Sequence, residues 1–342
     1  MRFKKLVEYF GSVDKAYEGN VKKIAEMIGE YSAKKFSTFR MSFDPVKKKK
    51  ELSNKNIVFI SQEDTKYPSQ LKNIPDPPIG LYVKGDVEQY NFQGEVYIGI
   101  VGTRKPTSYG EQIAEKLSSE LSTLGLVTIS GMAMGIDSIV HKATLATGGK
   151  TIAVLGCGVD LIYPSCNAQL YRDILKNRGL IISEFPPGQR VIVNFFVLRN
   201  RLISGLSKGI LVIEGMKDSG TLITARFAAE QGKEVFAIPS PITSPLSAAP
   251  NLLLKQGAKL VTCVEDIIEE LGLSVEIQTK QSDDLNDTEK MIRDILQKEP
   301  KSVDELEYEL HIPIGALLQR LTILEIKRII EKNKEGKYQN II

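Results

Sequence analysis

The sequence predicts an α/β fold built on a doubly wound, Rossmann-like parallel sheet, with a small helical domain before it and a winged helix after it. Three observations predict this. Between Val96 and Leu271, short β-branched runs alternate with helical stretches; the runs are almost continuously apolar; and the helices show three- and four-residue apolar spacing. Strands apolar on both faces need cover on both faces, which crossover helices supply in a parallel sheet.

Residues 1–52 read as a small helical domain, with helices at Lys4–Phe10, Val21–Ile28 and Ala33–Phe39 separated by Gly11 and Gly29. The run Lys47–Lys50 invites a nucleic-acid reading, but reads first as a solvated linker face. The Pro-rich stretch Ile74-Pro75-Asp76-Pro77-Pro78, between Tyr67-Pro68 and Leu81-Tyr82-Val83-Lys84-Gly85, reads as an extended segment laid across the next domain. The main domain, 53–273, holds expected strands at Tyr97–Val101, Leu126–Ile129, Thr151–Leu155, Leu180–Ser183, Ile210–Ile213, Glu234–Ile238 and Lys259–Val261. Expected helices are Glu111–Leu124, Ile136–Thr147, Asn167–Asn177, Leu222–Gln231 and Asn251–Gln256. A polar linker, 274–287, leads to a winged helix at 288–342: helices Thr288–Lys298, Val303–Leu310 and Ile314–Leu324, then a hairpin of Ile326–Lys332 and Lys337–Ile342 joined at Glu335-Gly336.

Composition narrows the function. The net charge of +3 permits a nucleic-acid partner without demanding one. No apolar run reaches the roughly 20 residues of a membrane span, and the opening residues lack a signal-peptide core, so no membrane contact and a cytoplasmic location are expected. Cys157, Cys166 and Cys263 form no C-x-x-C pair, and His141 and His311 are the only histidines, which excludes a multi-histidine zinc site. No metal and no cofactor are expected.

Three glycine-containing strand-to-helix turns carry the chemistry. They are Gly102-Thr103-Arg104, then Ser130-Gly131-Met132-Ala133-Met134-Gly135 leading into Ile136-Asp137, then Ser219-Gly220-Thr221 leading to Thr224. In an open α/β sheet such turns gather at the carboxyl ends of the strands. Glycine lets the backbone approach an anion, and helix-start N–H groups point at it. Arg104 adds positive charge, while Ser130, Ser219, Thr221 and Thr224 add hydroxyl donors. Arg199-Asn200-Arg201, after Phe195 and Phe196, can extend a phosphate track, or instead tie a helix to the sheet with the phenylalanines as core. His141, four residues after Asp137 on one helix, is placed for an acid–base pair or, since no nucleophile sits at a recognisable spacing, rather for a buried Asp–His contact that orders the glycine turn. G-x-x-x-x-G-K-[ST] and G-x-G-x-x-G are both absent, which removes the P-loop and dinucleotide readings.

These residues, with Thr151 through Gly158, Tyr163-Pro164, Ser183-Glu184, Pro186-Pro187-Gly188 and Gly257-Ala258, resemble the DNA-processing protein A (DprA/Smf) family over roughly residues 60–272. Departures include Val197, where a proline commonly stands, and Pro239-Ser240 in place of Pro-Gly. The resemblance implies a dimeric, non-enzymatic protein that binds and protects incoming single-stranded DNA during natural transformation and hands it to the RecA recombinase. Two other classes remain: a phosphoribohydrolase-like enzyme, although the turn Asp218-Ser219-Gly220-Thr221 lacks that family's double glycine and Glu230 on the following helix reads as solvent-facing or core-edge, and a nucleotide sensor using the same rim.

Overall fold

Runs rich in β-branched residues, bounded by Gly, Pro or polar turns, form the strands of the computed structural model, which describes residues 2–273, 287–326, 329–333 and 336–340. They are β1 (Ile57–Ser61), β2 (Gly80–Lys84), β3 (Tyr97–Val101), β4 (Val127–Ser130), β5 (Thr151–Val154), β6 (Leu180–Ser183), β7 (Gly209–Val212), β8 (Glu234–Ala237) and β9 (Lys259–Leu260). Together they make one sheet in the order β1-β2-β6-β5-β4-β3-β7-β8-β9. The expected parallel core is present from β6 through β9.

The segment before it differs from expectation. The prolines stay in the crossing stretch, but proline-free Gly80–Lys84 pairs antiparallel with β6, and β1 pairs antiparallel with β2, so the sheet gains two strands. Tyr67 fastens the crossing stretch by donating from its hydroxyl to the Pro78 carbonyl at 2.6 Å.

Helices Ser108–Thr123, Ile136–Ala146, Ala168–Lys176, Val193–Leu206, Gly220–Glu230, Ala248–Lys255 and Val264–Glu270 cover the sheet. Val193–Leu206 and Val264–Glu270 are additions to the sequence reading. The former exposes Val193, Val197 and Leu198 in its first half and is buried continuously from Arg201 to Leu206, so no single apolar stripe runs its length and periodicity does not betray it. The larger core cluster joins Ile129, Ile152, Leu180, Leu202 and Ile210 with Tyr67 and Leu71.

Five helices precede β1, at Arg2–Phe10, Val13–Glu18, Val21–Ile28, Glu30–Ser42 and Pro45–Asn54. They enclose a small cluster of Leu6, Ala16, Ile24 and Ala33. The expected linker face at Lys47–Lys50 is instead a helix. Asp44 caps it by accepting from the Val46 and Lys47 amides at 2.9 and 3.0 Å, and Pro45 occupies its first turn.

The chain divides into two compact units, Met1–Ser274 and Val275–Ile342. The second holds helices Asp287–Leu296, Val303–Leu310 and Ile314–Ile326, then the antiparallel pair β10 (Ile330–Lys332) and β11 (Tyr338–Asn340), over a core of Ile292, Leu306, Leu317 and Leu321. This is the winged-helix order. Residues 274–286 of the expected linker lie outside the described residues, as does Glu335 of the expected hairpin turn. No described helix is long and apolar enough to cross a membrane.

Candidate nucleic-acid interface

The sheet places β3 between β4 and β7. The chain runs outward from β3 through β4, β5 and β6, then returns to lay β7 on the other side, so the connections after β3 and β7 diverge. Such a switch point leaves a crevice at the carboxyl edge. Glu214, just beyond β7, clamps one wall: its carboxylate accepts from the Thr107 hydroxyl at 2.6 Å and the Thr107 amide at 3.0 Å. That ties the β3 turn to the end of β7, a role no spacing in the sequence announces.

The crevice is a cavity of about 670 Å³, lined by all three predicted turns and by the helix Val193–Leu206. Gly102, Thr103 and Arg104 contribute from the first turn, Ala133 and Asp137 from the second, and Ser219, Gly220, Thr221 and Thr224 from the third. Arg199 and Asn200 complete the set. Ser219 caps its helix by accepting from the Thr221 amide at 3.2 Å, so the helix start, with its partial positive charge, faces the cavity. Arg104 is exposed, its guanidinium 5.9 Å from the Phe196 ring centroid. No hydrogen bond occupies the Asn200 side chain among the described residues. Sequence reasoning missed Met216 and Asp218 on the wall, for lone apolar or acidic residues in loops carry no signal of their own.

Several predicted residues build the rim without lining this cavity. Ser130 is buried and its hydroxyl donates to the Ile100 carbonyl at 2.7 Å, joining β4 to β3. Gly135 has φ +73°, and a Cβ there would stand 2.5 Å from the Thr103 carbonyl oxygen. Met132 also has left-handed backbone, at φ +64°. Asn167, which the sequence reading missed, holds that turn by donating to the Met132 and Ala133 carbonyls at 2.9 and 3.2 Å.

Asp137 and His141 do not form the expected contact. Asp137 accepts from the Ala133 amide at 3.2 Å, while His141 Nδ1 lies 2.7 Å from the Thr151 hydroxyl. Burial raises the Asp137 pKa, and Arg199 opposes that rise. Burial, then the charge of Arg199, pushes the His141 pKa down to about 3, so this imidazole is neutral at pH 7.

The two arginines of the Arg-Asn-Arg triplet part company. Arg199 is buried, its guanidinium donating to the Gly131 carbonyl at 2.6 Å and to the Val154 carbonyl, while its Nε, buried beside the cavity, has no partner among the described residues. Arg201 pairs with Glu184 at 2.6 Å and Asp76 at 3.2 Å and is not in the cavity wall. A helix turns about 100° per residue, so neighbours two apart face different ways.

The comparisons agree with this geometry. Residues 58–272 match the family model described as DNA recombination-mediator protein A, and residues 276–335 match the DprA winged helix domain. The DNA processing protein DprA of Bacillus subtilis is 45% identical over 205 residues, covering 60% of this chain and 68% of that protein. The X-ray structure of DNA processing protein A from Streptococcus pneumoniae superposes with a TM-score of 0.69 at 36% identity, covering 79% of this chain and 92% of that one. A Helicobacter pylori DNA processing protein A structure, described for its single-stranded DNA binding mode, superposes with a TM-score of 0.56 at 31% identity, covering 62% of this chain and 95% of that one. With its family model matched across most of the sheet domain and a second model matched beyond it, the chain belongs to the DprA family of DNA recombination-mediator proteins.

Proposed function

We propose that this protein binds single-stranded DNA without sequence preference along the cavity rim. In this reading a homodimer protects incoming strands during natural transformation in the cytoplasm and loads RecA recombinase onto them, acting as a binding protein and not an enzyme. The strand-binding domain is 53–273, flanked by the helical domain 1–52 and the winged helix 288–342. The observation that carries the reading is the convergence of Arg104, the helix start at Ser219–Thr221 and the open Asn200 amide on one crevice. These groups suit phosphate oxygens, which carry no base code. The H. pylori relative's single-strand binding mode supports it.

Fluorescence anisotropy with labelled oligo-dT of ~30 nucleotides and its duplex, across a salt series, tests the proposal. Arg104→Ala is expected to weaken binding to every strand alike and to lower the logarithmic salt slope by about 0.7, the value of one single-strand phosphate contact. An unchanged slope in folded variant protein removes Arg104 from the track.

The cavity volume also suits one nucleotide. The hydrolase form of that reading is weakened, because Glu230 stands exposed on its helix, 3.6 Å from Arg226 and absent from the cavity wall. Incubation with AMP, followed by assay for free base, tests it directly.

A further inference from the structure

The charge of this chain is unevenly placed. Residues 1–55 carry 14 Lys and Arg against 7 Asp and Glu, and the rest of the chain 31 against 35. A protein of net +3 is therefore +7 in its helical N-terminal segment and −4 elsewhere, although the crevice lies elsewhere.

Nor is this basic charge consumed internally. Helix Pro45–Asn54 buries none of its residues, and Lys47, Lys49 and Lys50 are exposed with no ion pair among the described residues. The helix is nonetheless fixed to the body. Leu52 packs on the cluster of Ile57, Cys157 and Tyr171, and Lys55 pairs at 3.1 Å with Asp160, in the loop after β5. The preceding helix, Glu30–Ser42, turns Ala33 inward and leaves Tyr31 74% and Phe39 52% exposed, with Lys34 and Lys35 between them. Lys35 lies over one side of the Tyr31 ring at 4.8 Å and Phe43 stacks on Phe39 at 4.7 Å, yet both rings stay exposed; lysines interleaved with exposed aromatic rings match a strand that offers phosphates and unpaired bases together, whereas a duplex hides its base faces.

From this juxtaposition we infer that the basic N-terminal helices form a second contact surface for single-stranded DNA, engaging strand beyond the length held at the crevice. The inference rests on the proposed single-strand binding. It divides the work: the crevice fixes a few phosphates, and the helices supply the less specific, salt-sensitive attraction that the near-neutral sheet domain lacks.

The test uses the full chain and a variant carrying Lys47→Gln, Lys49→Gln and Lys50→Gln, with folding checked by circular dichroism. A second variant, Lys34→Gln with Lys35→Gln, repeats the test on the neighbouring helix. Each is titrated with oligo-dT of ~6 and ~40 nucleotides, chosen to fall short of and to exceed one binding site. Duplex of the longer length and vesicles of phosphatidylglycerol and phosphatidylcholine complete the set. The triple variant is expected to lose about 2 from the salt slope on the long strand, up to roughly 100-fold in affinity at 0.1 M salt, while the short strand is unaffected. Equal long-strand slopes for wild type and both variants overturn the inference while leaving the crevice reading intact. So does a loss confined to duplex or to vesicles. If the wild type binds neither strand at low salt, the crevice reading fails first, and this inference with it.

Discussion

Gly131 has no room for a side chain because the Arg199 guanidinium occupies the space a Cβ would take. The two positions are one device: Arg199 reaches the carbonyls of Gly131 and Val154 only while residue 131 stays small. Gly131→Ala is expected to cost about 2–3 kcal/mol, through overpacking and lost charge-assisted bonds, read as a lower denaturant midpoint. His141 makes a prediction of a different kind. Its folded pKa of about 3 lies below the ordinary 6.5, so the unfolded chain takes up a proton there first. The stability contributed by its neutral form is complete above pH 6.5 and is lost as pH falls toward 3, with a limiting slope of about 1.4 kcal/mol per pH unit. Between pH 6.5 and 5, His141→Gln should lose less stability than the wild type, because carboxylates raised by burial, Asp137 and Glu184 among them, titrate alike in both proteins. A variant curve parallel to the wild type over that interval contradicts a buried neutral histidine.

At the scale of elements, the helix Val193–Leu206 serves two masters. Its Arg199 and Asn200 edge lines the cavity, and its Arg201 edge is pinned to Glu184, just beyond β6, and to Asp76 in the Pro-rich crossing stretch. Arg201 is only 7% exposed, and removing it leaves the largely buried Glu184 carboxylate without its cation. Arg201→Ala should therefore lower stability by about 3–5 kcal/mol, whereas Arg104→Ala, on an exposed turn, should leave the melting temperature within about a degree or two. Thermal melts paired with anisotropy separate the two: any strand-binding defect of Arg201→Ala should follow its unfolded fraction. The triplet looked like one phosphate-binding motif in the sequence because chain adjacency says nothing about which side of a helix a residue takes.

For the whole molecule, the two compact units have separate hydrophobic cores, with no residue shared between the main clusters and that of the winged helix. A chain ending at Ser274 is expected to fold with its own cooperative melt and to retain single-strand binding. Loss of a cooperative transition in that truncated protein would show that the second unit completes the first. The winged helix is expected to add little to duplex binding. Its helix Ile314–Ile326 exposes Ile314 and Leu318, and its one described cation, Arg320, lies 3.5 Å from Glu289. Duplex affinity should therefore be little changed by the truncation.

Periodicity and punctuation by themselves determined the parallel sheet, the winged-helix order and the three glycine turns, because each is a local pattern: apolar strand, amphipathic helix, glycine at the turn. They also identified two stretches of the crevice wall, Gly102 through Arg104 and Ser219 to Thr224. Only the tertiary structure decided which candidates face the crevice and which hold it together. Ser130, Arg201 and His141 were drawn inward, to Ile100, Glu184 and Thr151, partners 30, 17 and 10 residues away in the chain. Buried polar groups must find partners wherever packing brings them, and those partners are chosen by strand order and helix phase, neither of which a single stretch of sequence contains.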